Sequence, residues 1–157
     1  MRHAEASWTE GGANDLDRPL NRDGEAAAAE MAPWLAGRGL RPGRILCSPA
    51  RRTRQTAELM RGAVPGLPQP DIVPELYLAG PQAILNVLRQ LPDNVEVALL
   101  IGHEPGLSSA AQALGGPSAP AQFAPASVAV FTLEAARWGD LVRGRVRGVE
   151  FKMPGDR

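Results

Sequence analysis

The chain has 157 residues, long enough for one domain with a single core and too short to expect two. Its 17 lysines and arginines cancel its 17 aspartates and glutamates, so no global field draws it to nucleic acid or to an anionic membrane, and any attraction for an anion must be local. No apolar run approaches the roughly 20 residues that cross a bilayer, the opening residues are too polar for a signal peptide, and the single cysteine, Cys47, cannot form an intrachain disulfide, so a buried thiol and the cytoplasm are the expectations.

The first segment, Met1-Arg2-His3-Ala4-Glu5-Ala6, places one of only two histidines beside an arginine. Such a pair would ordinarily follow a buried strand, and only Met1 precedes it here, so the first strand is expected to be cut short. Asn21 can cap a helix running through Gly24 to Met31, with alanines supplying propensity. Pro33 predicts a kink and Gly37 or Gly39 a stop. A short strand, Arg44 to Cys47, leads to a helix for which Ser48 is the expected cap and Pro49 the first position. Arg52 then falls in the first turn. A Pro- and Gly-rich connection, Gly62 to Pro70, precedes Ile72-Val73-Pro74-Glu75-Leu76-Tyr77.

A further helix carries Ile84, Leu85, Val87, Leu88 and Leu91 at helical spacing. The run Val95 to Ile101 is almost continuously apolar, as a strand covered on both faces would be, and it ends at Gly102-His103, the second histidine. Glu104-Pro105-Gly106 turns the chain into a helix through Leu114. Two late strands are predicted, Ser127 to Leu133 and Val142 to Lys152, the second with the looser alternation of an edge or antiparallel strand. Strands alternating with helices give an α/β class: a single three-layer domain over residues 1–157, its central sheet mostly parallel with helices on both faces.

Ligands of open α/β sheets bind beyond the carboxyl ends of the parallel strands. Arg2-His3, the Ser48–Arg52 segment and His103 all belong at that edge. Neutral imidazole is a nucleophile near pH 7, because its unperturbed pKa is about 6.5. A histidine nucleophile would split a displacement at phosphorus into two easier steps. Arginine forks match pairs of phosphate oxygens and stay charged throughout. The residue types therefore point to phosphoryl chemistry. Two histidines and one cysteine do not supply the three or four ligands of a zinc site, and no P-loop sequence is present.

Taken together, Arg2-His3-Ala4-Glu5-Ala6, Arg18-Pro19-Leu20 with Gly24, Ser48-Pro49-x-x-Arg52-x-x-Gln55-Thr56 and Gly102-His103 resemble the histidine phosphatase (phosphoglycerate mutase-like) superfamily. Within it they are similar to the small branch of bacterial phosphohistidine phosphatases. The resemblance runs from Arg2 to about Gly106, with Ala4 standing where many members carry glycine. It implies His3 as the phosphorylated nucleophile, Arg2 and Arg52 as phosphate clamps, and His103 as a further catalytic phosphate contact. It implies Glu75 as the match to the acidic proton donor of larger members. The expected activity is a cofactor-free, metal-independent hydrolase acting through phosphohistidine, with a phosphorylated protein as substrate, above all protein phosphohistidine. Two alternatives stay open: a broad phosphatase or mutase of small phosphorylated metabolites, and a phosphate-binding module without turnover.

Overall fold

Alternation of apolar side chains decides how the central strands are covered. In β1 (Arg44–Cys47), Ile45 and Cys47 join one core cluster and Leu46 joins another. In β3 (Ala98–Ile101) the same split separates Leu99 and Ile101 from Leu100. A strand that is apolar on both sides needs a helical layer on each, and the computed structural model, which describes residues 1–8, 14–141 and 146–156, provides them. Helices α1 (Arg22–Gly37) and α2 (Arg51–Ala63) cover the Ile45 side with Met31, Leu35, Ala57 and Met60. Helices α3 (Pro81–Arg89) and α4 (Gly106–Gly115) cover the Leu46 side with Ile84, Leu107 and Ala110. With β2 (Pro70–Ile72), the sheet is parallel in the order β2-β1-β3, Ile45 standing between Pro70 and Leu99. The three-layer α/β architecture expected from the sequence is the one found.

The last two strands, β4 (Val128–Leu133) and β5 (Val146–Lys152), form an antiparallel pair. Of the strand expected over Val142 to Lys152, residues 142–145 lie outside the described residues. The segment leading into β4 runs beside the chain start, where the Arg2 amide donates to Ser127 O (3.0 Å) and the Ala126 amide to His3 O (3.1 Å). On the other side, Arg2 pairs in parallel with Gly102, and the Met1 nitrogen donates to Leu100 O (2.9 Å). The expected first strand is thus represented by this short bridge. Below it the edges of β3 and β4 border a cavity of about 600 Å³. Among the described residues, no helix is long and apolar enough to cross a membrane.

Two local expectations need correction, the cap of α2 and the length of β3. The expected end of α1 holds: the helix passes Pro33 and stops at Gly37. Pro33 is exposed, while Met31, Ala32 and Leu35 keep the buried face intact, so packing outweighs the lost backbone bond. The helix ends two residues later in a Schellman arrangement, Gly39 N to Ala36 O (3.0 Å) and Leu40 N to Leu35 O (3.1 Å), with Gly39 at φ 72°. Ser48 does not cap α2, whose N-cap is Ala50 without any side-chain capping bond. The strand expected over residues 95–101 is confined to Ala98–Ile101.

Candidate active site

Each parallel strand delivers its polar cargo at its carboxyl end. After β1 the chain passes through Ser48 into α2, with Arg52 at the second helical position. Beyond β3 it reaches His103 within two residues, and the Arg2–Gly102 bridge places His3 beside that turn. The imidazole centroids of His3 and His103 are 5.2 Å apart. Arg52, 2% exposed, joins the two rings. Its Nε donates to His3 Nε2 (3.3 Å) and its NH2 to His103 Nδ1 (3.3 Å).

The side chains of α2 fasten this arrangement. Thr53 Oγ1 is within 2.7 Å of both Ser48 O and Ala50 O, which fixes the bend ahead of the helix. Thr56 Oγ1 accepts from the Ala4 amide (3.0 Å), tying the loop after His3 to α2. Gln55 Oε1 accepts from the Leu20 amide (2.9 Å). Gly24 closes the same corner: a Cβ there would lie 2.2 Å from Glu5 O, so α1 can approach the loop after His3 only with glycine at this position.

Hydrogen bonds settle both tautomers. A carbonyl oxygen only accepts, so His3 Nδ1 carries the proton it gives to Ala4 O (2.7 Å) and Nε2 keeps its lone pair. Guanidinium only donates, so His103 Nδ1 is an acceptor and Nε2–H donates to Ser48 Oγ (2.7 Å). Burial pushes the His3 pKa down to about 4, reinforced by Arg52, Arg2 and Arg18 against the opposing Ala4 hydrogen bond. Burial, then proximity to His3 and Arg52, lowers His103 to about 3. Both rings are neutral at pH 7, and the unprotonated Nε2 of His3 lies among cationic groups.

Arg2 completes the cluster from the other side. Its NH1 donates to Phe123 O (2.8 Å), while its Nε is buried without a hydrogen-bond partner among the described residues. Glu104 stands behind this contact: Oε1 accepts from the Phe123 amide (2.6 Å) and Oε2 from the Ser108 amide at the start of α4 (3.0 Å).

Arg2, His3, Arg52 and His103 are therefore brought together. Glu75 is not among them. It sits in a short 3-10 helix, Pro74–Leu76, exposed, beside a separate depression that includes Arg44, Asn86 and Gln90. The carboxylate that does reach the cluster is Asp15. Its Oδ2 accepts from Arg52 NH2 (2.9 Å) and from the Tyr77 hydroxyl (2.7 Å), and its Oδ1 from Arg18 NH1 (3.0 Å). Arg52 NH1 also donates to the Asp15 carbonyl (2.6 Å). These donors, Tyr77 foremost, hold the Asp15 carboxyl well below the usual carboxylate range. Sequence reasoning missed Asp15 and Tyr77. The only local signals were the proximity of Asp15 to the Arg18-Pro19-Leu20 motif and the position of the sole tyrosine two residues after Glu75. Among the described residues, no group of three or more His, Cys, Asp or Glu side chains could hold a metal ion.

Comparison with known proteins yields a consistent picture. The profile of the histidine phosphatase superfamily (branch 1) matches residues 1–76. The phosphohistidine phosphatase SixA of Escherichia coli is 30% identical over 136 residues, covering 85% of this chain and 83% of that protein. An uncharacterised chloroplast protein of Arabidopsis thaliana is 35% identical over 128 residues, 75% of this chain, but the match spans only 58% of that longer protein. Among solved structures, the protein histidine phosphatase SixA complexed with tungstate superposes with a TM-score of 0.78 at 26% identity, covering 98% of this chain and 94% of the other.

Proposed function

Since the chain belongs to the histidine phosphatase superfamily, in the small branch of phosphohistidine phosphatases, we propose that it hydrolyses protein phosphohistidine through a phosphorylated intermediate on His3. The observation that carries the reading is the state of His3. Its Nδ1–H is committed to Ala4 O, so Nε2 carries the lone pair, which accepts a long hydrogen bond from Arg52 Nε (3.3 Å) and gives up that bond when it turns to phosphorus. That lone pair attacks phosphorus, and the leaving group departs with the electron pair of the bond that breaks. Water then attacks phosphorus, the P–N bond to His3 breaks and returns its electron pair to Nε2, and the water's protons leave with inorganic phosphate and solvent.

Charge on the transferring group needs donors fixed in place beforehand. Arg52 is buried and already faces both rings. Arg2 Nε, a buried donor lacking a partner among the described residues, gains an acceptor when a phosphoryl oxygen arrives. His103 borders the same space as a further contact. Arginines supply the positive charge in this scheme, so no metal ion is required. Glu75 is the weakest member of the expected set, since it lies beside a different depression. The SixA relatives are named for phosphohistidine, and this supports a phosphorylated protein over small metabolites.

Brief incubation with a phosphate donor tests the scheme. Label should appear on His3, survive alkali and be lost in acid, as a P–N bond requires. His3→Ala should abolish both labelling and turnover. Turnover retained in that variant would exclude the mechanism. Faster hydrolysis of sugar phosphates than of a phosphohistidine peptide would move the substrate class to small metabolites.

A further inference from the structure

The attack on phosphorus leaves Asp15 without a task, yet its carboxylate is built into the mouth of the site. Three donors hold it: the Tyr77 hydroxyl, Arg52 NH2 and Arg18 NH1. The Arg52 side chain is 3% exposed and that of Asp15 is 42% exposed, so a group approaching from solvent meets Asp15 first. Tyr77 lines the same mouth, its ring edge-on to His103 at a centroid distance of 5.6 Å. A carboxylate held by three donors stays ionised and has no proton to give. As a fixed anion it repels any leaving group that departs with negative charge, and it attracts one that carries positive charge.

We propose that Asp15, steadied by Tyr77, forms the leaving-group side of the site and selects a cationic nitrogen leaving group, the imidazolium ring of an N-phosphorylated imidazole. This rests on the phosphohistidine reading given above and specifies how the site would distinguish that substrate from a phosphate ester. In the protonated substrate, one ring nitrogen bears phosphorus and the other bears a proton. His3 Nε2 gives its lone pair to phosphorus and the P–N bond to the substrate ring breaks. The electron pair of that bond stays on the substrate ring, which departs as neutral imidazole with its N–H intact. No proton donor enters the balance. The ring N–H donates to Asp15 while the ring is charged, so the carboxylate captures the protonated, reactive form of the substrate. The gain belongs in kcat/KM.

The test compares kcat/KM for N-phosphoimidazole with kcat/KM for an aryl phosphate of an acidic phenol, in wild type, Asp15→Asn and Tyr77→Phe. Loss of one charge-assisted hydrogen bond should lower the ratio of the first to the second roughly tenfold or more in Asp15→Asn. Tyr77→Phe should shift the ratio the same way by a smaller factor, and it serves if the first variant folds poorly. A ratio unchanged in both variants, whatever happens to the absolute rates, would overturn the proposal, because a carboxylate that merely positions or competes for Arg52 affects both substrates alike. If wild type hydrolyses the aryl phosphate and not N-phosphoimidazole, the phosphohistidine reading falls and takes the proposal with it.

Discussion

Neutral imidazoles among arginines carry a thermodynamic consequence. His3 and His103 have native pKa values near 4 and 3, against about 6.5 for histidine in an unfolded chain. Between these limits the unfolded chain binds more protons than the native one, so stability rises with pH across the window. The contribution is intact above pH 6.5 and drains as pH falls toward 4 and then 3. Unfolding midpoints measured from pH 7 to pH 4 should decline, and His103→Gln should flatten part of that decline. In an NMR titration both sets of ring protons should show midpoints well below 6.5. A His103 midpoint at or above 6.5 would mean that the ring is not the buried acceptor of Arg52 described here.

At the scale of elements, local rules succeed where the helix or strand is its own context. Strand Arg44–Cys47 and the Asn21 cap were legible because apolar alternation and a side-chain bond to Gly24 N (2.8 Å) act within a few residues. Ser48 was misread because its hydroxyl has two suitors, the helix amides and a histidine 55 residues away, and the distant ring takes it. Pro33 does not end the helix, because a broken backbone bond on an exposed face leaves the core contacts of its neighbours in place. The cost of that proline remains in the helix. Pro33→Ala should restore the bond to the preceding turn and raise stability by up to about 3 kcal/mol. An unchanged unfolding midpoint would show that α1 already accommodates the ring without loss.

For the molecule as a whole, the candidate site was legible only in part. Arg2, His3, Arg52 and His103 could be read because each follows a strand, real or inferred, whose carboxyl end sets its position. Asp15 and Tyr77 could not. Neither stands at a strand end, and their meeting over Arg52 depends on two 3-10 turns whose placement is set by contacts 37 and 62 residues apart in sequence. Glu75 shows the same limit from the other direction, since being two residues from Tyr77 did not place it in the same pocket.

The sheet itself supplies the last argument. All of residues 95–100 and all of β4 border the 600 Å³ cavity. A strand face would contribute every second residue; unbroken runs mean that two strand edges face one another across the gap. Most of the lining is apolar, with Leu35 on one side of the sheet and Leu107 on the other, while Asp93, Glu96 and Arg137 also border it. Exposed edges of this kind leave backbone donors and acceptors unpaired and invite strand addition. A chain joined ahead of Met1 would start at the border of this space, where the Met1 nitrogen bonds to Leu100 O. An appended segment of about five apolar, β-branched residues should therefore pair with the edges of β3 and β4 and cover the side chains that line the gap, at about 25 cal/mol per Å² of apolar surface buried. The unfolding midpoint of the extended chain should rise, and amide exchange at Ala98 and Val130 should slow. A lysine- and glycine-rich segment of equal length should do neither. Equal midpoints for the two extensions would show that the gap does not accept a strand.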